Sequence, residues 1–316
     1  MPRSVGNPPR RRLLSLGGIG IELNWKGAPL AKEGALRFYK RFLSNGHPRS
    51  QATQRASPIA VRLQVHDGEL PYLTPDAMIF DAVPNHWRLF RAGSHDVFEI
   101  FDTMPPHPTI QLAVMRPDLR SGDIYLRPEA TTPRGSWSLV SLMRPFGELL
   151  VITLLARGRG VLLHALGVAD QGEGLLFIGR SGAGKSTLAN LYKPHQSNGG
   201  VTILGDERII VTKQDGQFWL SGTPWPGEGF TVSADTVPLR KVFFLEHGTT
   251  NTLIADRLIN LHGLFFQQLF LPFWNREALA FALRFGEELL STVPAARLAF
   301  VNDARVIEFL RSQHDE

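Results

Sequence analysis

A chain of 316 residues with 43% apolar and 20% charged residues has room for one large or two ordinary globular domains. It contains no cysteine, which excludes disulfides and thiolate metal sites and fits a reducing compartment, so the cytoplasm is expected. The net charge of +5 comes from 34 basic against 29 acidic residues, and much of the excess sits in Arg3, Arg10, Arg11 and Arg12. No aromatic residue is interleaved with these arginines, so they read as a solvated, disordered tail and not as a nucleic-acid arm.

The opening segment lacks the unbroken apolar run of a secretion signal. The longest apolar stretch, Leu149 to Ala156, is far shorter than the roughly 18 residues needed to span a bilayer. Neither a membrane nor nucleic acid is therefore expected as a partner.

Residues 1–145 alternate short strand patterns with turn signals. A helical stretch from Ala35 to Leu43 comes first, followed by IAVRLQV (59–65), HWRLFRAG (86–93), DVFEIFD (96–102), TIQLAVM (109–115) and GDIYLRP (122–128). A small, mostly β N-terminal domain is expected there, and it carries no catalytic constellation. From residue 146 the character changes: FGELLVITLLARG (146–158) has helical spacing and ends at Gly158.

The second domain, 146–316, mixes strands and helices. VLLHALGV (161–168) reads as one strand and LLFIG (175–179) as another, followed by a glycine-rich loop and a helix from Lys185 to Tyr192 stopped by Pro194. VTILGDE (201–207), RIIVTK (208–213) and QFWLSG (217–222) read as strands joined by hairpins, with Asp215-Gly216 as one turn. LRKVFFLEH (239–247) adds a strand. The tail predicts helices near 257–270 and 275–290, the strand ARLAFV, and a last helix over 303–311 capped by Asn302 or Asp303.

Chemistry concentrates in Gly179-Arg180-Ser181-Gly182-Ala183-Gly184-Lys185-Ser186-Thr187, which fits G-x-x-x-x-G-K-[ST] between an apolar strand and a helix. Glycines let backbone amides from Gly182 to Ser186 turn inward as a nest, and the helix N-terminus adds partial positive charge. Lys185 is placed to reach β- and γ-phosphates, Ser186 to ligate magnesium, and Thr187 to bond the α-phosphate or cap the turn. The expected ligands are ATP and Mg2+.

Phosphoryl transfer also needs a carboxylate near the cradle, and Asp206 and Glu207 follow an apolar strand about twenty residues beyond Lys185. One acid of the pair can hold magnesium and the other can polarise a hydroxyl. His164, inside an apolar strand, is on spacing either a core residue or a group aimed at this site. TPWPGEG (223–229) is either a lid or an ordinary loop with Trp225 packed inward. The aromatic stretch 261–274 reads as core packing, and Arg180, Arg208 and Arg240 are candidates to steady transition-state charge.

Taken in order, Leu163-His164-Ala165, GRSGAGKST, GDE, TPWPGEG and PLRKVFFLEHG resemble the HPr kinase-like P-loop proteins, whose domain is similar to the phosphoenolpyruvate carboxykinase fold. The resemblance spans roughly residues 145–312. It implies catalytic roles for His164 and Asp206, with Glu207 at the second acidic place, and Asp206 as the base of an ATP- and magnesium-dependent kinase with magnesium held by Ser186 and an acidic group.

Arg180, Thr187 and Glu207 depart from the aspartate, glutamate and aspartate usual in HPr kinase, which points away from HPr itself as the acceptor. The acceptor expected is a hydroxyl, either a serine of a protein or peptide or a small molecule, and a homo-oligomer is allowed. The alternative is an ATP-binding regulatory or scaffolding protein without phosphotransfer. A transport ATPase is disfavoured, since no LSGGQ signature is present.

Overall fold

The computed structural model describes residues 10–27, 29–31, 36–44, 58–82, 86–127, 136–198 and 200–313. It is a mixed α+β structure, with two large sheets and short helices, that divides into two compact units at Leu154/Leu155. Among the described residues no helix is long and apolar enough to cross a membrane.

The first unit holds β1 (Arg10–Leu16), β2 (Ile19–Trp25), α1 (Leu36–Tyr39), β3 (Leu43–Ser44), β4 (Ile59–Asp67), β5 (Ala77–Ala82), β6 (Trp87–Ala92), β7 (His95–Phe101), β8 (Thr109–Met115) and β9 (Ser121–Leu126). These nine strands form one sheet in the order β3-β1-β2-β4-β9-β8-β7-β6-β5. β4 alternates buried and more exposed residues, whereas β7 and β8 carry runs of four and three buried residues.

Two expectations fail here. Arg10, Arg11 and Arg12 are not a loose tail but the start of β1, which pairs with β2 through the tight Gly17-Gly18 turn. Arg11 reaches the buried Glu22 at 2.5 Å, and Arg62 of β4 approaches it at 3.5 Å, so these two arginines supply the counter-charge a buried carboxylate needs. Arg3 lies outside the described residues. The helix predicted over 35–43 shrinks to the four residues of α1, after which the chain turns into β3 so that Ser15 N–H can donate to Phe42 C=O; Ala35 is outside the described residues.

A short α2 (Leu139–Leu142) and α3 (Glu148–Leu155) lead to the second unit. Its elements are β10 (Gly160–His164), β11 (Leu166–Asp170), β12 (Glu173–Ile178), α4 (Lys185–Tyr192), β13 (Val201–Gly205), β14 (Arg208–Gln214), β15 (Gln217–Ser221), β16 (Thr236–His247), β17 (Thr252–Ile254), α5 (Leu258–Phe266), α6 (Arg276–Thr292), β18 (Ala295–Phe300) and α7 (Arg305–Ser312). The stretch 161–168 is therefore two strands and not one. It breaks at Ala165, with β10 pairing β14 and β11 pairing β12 and β13.

Likewise β13 and β14 are not a hairpin: the chain leaves β13 at Asp206-Glu207 and enters the antiparallel ladder β10-β14-β15. The Asp215-Gly216 hairpin forms as predicted, with both residues at positive φ. Pro194 does not stop the chain's coiling, which continues after α4 as a tighter 3-10 stretch, Lys193–Asn198. The last helix begins at Arg305 after Ala304, though Asp303 Oδ1 still accepts from Arg305 N–H at 2.9 Å.

β12, β16 and β18 run parallel, and β13 runs the same way because it is antiparallel to β11, itself antiparallel to β12. The central strands are buried on both faces, which is why they read as unbroken apolar runs. Leu176, Ile178, Val242 and Phe244 pack into one core with Phe265, Phe285 and Leu289. Leu175, Phe177, Phe243 and Leu245 pack into another, beneath Leu188 and Tyr192 of α4 and Val306, Ile307 and Leu310 of α7. Four strands thus deliver their carboxyl ends to one rim.

Candidate functional site

That rim is where the glycine-rich loop lies. It follows Ile178 at the end of β12 and opens α4 at Lys185, as the sequence predicts. Gly184 holds φ +103°, and a Cβ there would come within 2.7 Å of the Phe300 ring at the end of β18, so both backbone and space demand glycine. Gly182, at φ +81°, presents its carbonyl to His247 at the end of β16, 2.9 Å away; a carbonyl can only accept, so Nε2 carries the proton.

Lys185, Ser186 and Thr187 occupy the first helical turn, whose amides have no intrahelical acceptor. Ala183 differs from the expected nest, because its N–H closes a turn onto Arg180 C=O at 3.0 Å. Arg180 and Ser181 lie on the exposed side of the loop, and Ser186 is exposed as well. Lys185 is buried, with Nζ donating to Gly179 C=O at 2.5 Å. Its burial lowers the ammonium pKa, and the charge of Glu207 partly opposes that shift.

The acids arrive from the end of β13. Pairing of β10 with β14 sets His164 opposite Arg208, while Ala165 N–H donates to Glu207 C=O at 3.3 Å. This register brings His164 Nε2 within 3.2 Å of one Glu207 oxygen, and Arg208 Nη1 the same distance from the other. Arg208 also stacks over Phe270, 5.3 Å from the ring centre. Burial pushes the His164 pKa down; Glu207 raises it, and Lys185 and Arg208 lower it further. His164 is therefore neither a plain core residue nor on a strand beside the loop strand. It enters the site because the chain crosses from the β10–β14 ladder to the β11–β12 ladder directly after it.

Asp206 is placed differently from its neighbour. It is 5% exposed, and its two carboxylate oxygens accept from Gly227 N–H at 2.9 Å and Gly229 N–H at 2.7 Å. The loop 223–229 is thus drawn over the acid, with Trp225 buried inward, as one of the two sequence readings had it. Its feet are fixed too: Thr223 Oγ1 donates to Arg208 C=O at 2.7 Å, and Ser233 N–H to Leu204 C=O at 2.9 Å.

His164, Lys185, Arg208 and Glu207 therefore act on one another electrostatically, whereas Arg240 pairs with Glu173 at the opposite end of the strands. Of the aromatic stretch 261–274, Leu261 and Phe265 are core, but Phe273 is exposed. Sequence reasoning missed His247 and Phe300. The only available signal was their position as the last residues of strands that turned out to be parallel to the loop strand.

Among the described residues no group of three or more histidines and carboxylates could hold a metal unaided. The donor present that suits a cation bringing phosphate oxygens with it is the exposed hydroxyl of Ser186.

No family model matches the chain, and no curated protein matches it. Among solved structures it is similar to the HPr(Ser) kinase/phosphatase from Coxiella burnetii, at 12% identity over 49% of this chain and 95% of that one, with a TM-score of 0.28.

Proposed function

We propose that the chain binds Mg·ATP in the loop Gly179–Thr187 and transfers the γ-phosphoryl group to a hydroxyl acceptor, a serine of a protein or peptide or a small molecule. What supports this is one juxtaposition. A buried lysine opens a helix behind a glycine loop at the carboxyl ends of parallel strands, within electrostatic reach of a Glu207–His164 pair.

Polyphosphate takes the place of the carbonyls at the Lys185 ammonium and meets the free first-turn amides. Ser186 would hold magnesium together with the phosphate oxygens, and the ion would neutralise charge on the phosphates. His164, whose pKa burial lowers first and Lys185 and Arg208 lower further, faces Glu207 with Nε2–H and orients that carboxylate. The ordered resemblance to HPr kinase-like proteins supports the same chemistry, and the departures at Arg180, Thr187 and Glu207 support an acceptor other than HPr.

Calorimetry with Mg·ATP tests the binding half, with Lys185→Ala expected to weaken affinity at least about 100-fold, an ammonium–phosphate contact of roughly 2.7 kcal/mol. Incubation with γ-labelled ATP and candidate hydroxyl acceptors tests transfer. No heat from the wild-type chain refutes the proposal.

A second reading is favoured by the engagement of both Asp206 oxygens: a regulatory ATP-binding protein that transfers nothing. It predicts a protein partner released when ATP is added and no labelled acceptor.

A further inference from the structure

The two adjacent acids differ in what they touch, and phosphoryl transfer needs them to differ in role. Asp206 has each oxygen committed to a backbone amide of the loop above it. Gly229 approaches so closely that a Cβ there would collide with Asp206 Oδ2, and one on Gly227 would come within 3.0 Å of Glu207 Cβ. The loop crown is thus seated on Asp206 and pressed against the flank of Glu207. The Glu207 carboxylate, 30% exposed in its side chain, instead faces His164 and Arg208 and is felt by Lys185.

From this we infer that Asp206 is a positioning residue that latches the 227–229 crown and thereby orients Glu207, while Glu207, with His164 behind it, is the catalytic residue that takes the acceptor's proton. The inference rests on the proposed phosphotransfer reading and deepens it.

The balance is simple. The acceptor O–H gives its proton to a Glu207 oxygen as its oxygen forms a bond to the γ-phosphorus. The bond from that phosphorus to the β–γ bridging oxygen breaks, and ADP leaves with the electron pair. His164 Nε2–H, 3.2 Å from the carboxylate, holds Glu207 in place, and the proton leaves Glu207 to solvent along its exposed edge. Both acids have their oxygens engaged, but Asp206 is almost fully buried under the loop whereas Glu207 keeps 30% of its side chain exposed, and that difference in access separates them.

The test uses the full chain with Asp206→Asn, Glu207→Gln and Glu207→Asp, read by kcat and KM for Mg·ATP and by amide hydrogen exchange at Gly227 and Gly229. Glu207→Gln should lower kcat by about 10²- to 10⁴-fold, the usual range for a general base, with KM for Mg·ATP within threefold, and Glu207→Asp should recover part of that loss. Asp206→Asn should lower kcat only about tenfold at unchanged KM, and should speed exchange at the two glycine amides at least tenfold, since an amide oxygen can satisfy only one side of the latch.

If Asp206→Asn abolishes transfer while exchange at Gly227 and Gly229 is unchanged, or if Glu207→Gln transfers normally, the division of roles is wrong. A wild-type chain that binds no Mg·ATP refutes the functional proposal instead, and the exchange measurement still decides whether Asp206 is the latch.

Discussion

At the scale of single residues, the charged groups of the second unit are placed so that removing one partner exposes the cost of the other. Asp170, at the end of β11, is almost completely buried and accepts two hydrogen bonds of 3.0 Å from the Arg311 guanidinium of α7, which raises the arginine's pKa. Arg311→Met would leave that carboxylate unpaired. Because the arginine is itself a third exposed, a loss of about 2–3 kcal/mol is expected, at or below the low end for breaking buried pairs. Chemical denaturation checks this, and Asp170→Asn added to Arg311→Met should recover part of the loss.

His164 makes the second residue-scale prediction. Burial is the main cause that holds its folded pKa below the ordinary 6.5, ahead of the opposing pull of Glu207. An imidazole harder to protonate in the fold than in the unfolded chain means that the unfolded chain binds more protons as pH drops below about 6.5. Stability from this group is therefore complete above that pH and is lost on acidification towards the folded pKa. The difference in melting temperature between wild type and His164→Asn should shrink as pH is taken from 7.5 to 5, and a difference that stays constant would contradict the assignment.

At the scale of elements, the join between β12 and α4 depends on Gly184. Its φ of +103° and the nearness of the Phe300 ring mean that Gly184→Ala is strained twice, costing about 1–3 kcal/mol and displacing the first turn that is proposed to meet phosphate. Gly216→Asn is the control, with a similar φ but open space in a hairpin turn, and it should melt within a few degrees of wild type. Thermal unfolding with Mg·ATP calorimetry on both variants tests the difference.

The elements also show where sequence was informative. Thr109–Met115 and Lys185–Tyr192 come out at the predicted bounds, because a period of two and a glycine-to-proline interval are local signals. The break at Ala165 left no trace, since β10 and β11 are both buried and apolar on either side of it. The arginines of β1 misled for the opposite reason. The partner of Arg11, Glu22, stands on the next strand, so the charge run looked solvated until pairing was known. At the site, the loop and the two acids were visible as a motif, whereas the separate environments of Asp206 and Glu207 depend on a loop some twenty residues further on.

At the scale of the whole molecule, each unit has its own apolar clusters, and every residue proposed to meet phosphate or acceptor falls within the second. Phe98 is buried in the first sheet, edge-on to Phe146. Phe98→Ala should therefore destabilise the first unit by about 3–5 kcal/mol while leaving Mg·ATP affinity within threefold, measured by calorimetry below the onset of melting.

The second sheet carries a different consequence. Because Val242 and Phe244 serve one core and Phe243 and Leu245 the other, sliding β16 by a single residue would still hand greasy side chains to both sides. Polarity cannot police that alignment, so shape must: the right answer is distinguished from its nearest rival by whether bulky rings or slimmer chains fill each layer. Evolution of this chain can thus trade one apolar residue for another in β16 only where size is kept, and swapping Val242 with Phe243 should produce a heterogeneous, slowly refolding population although its composition is identical.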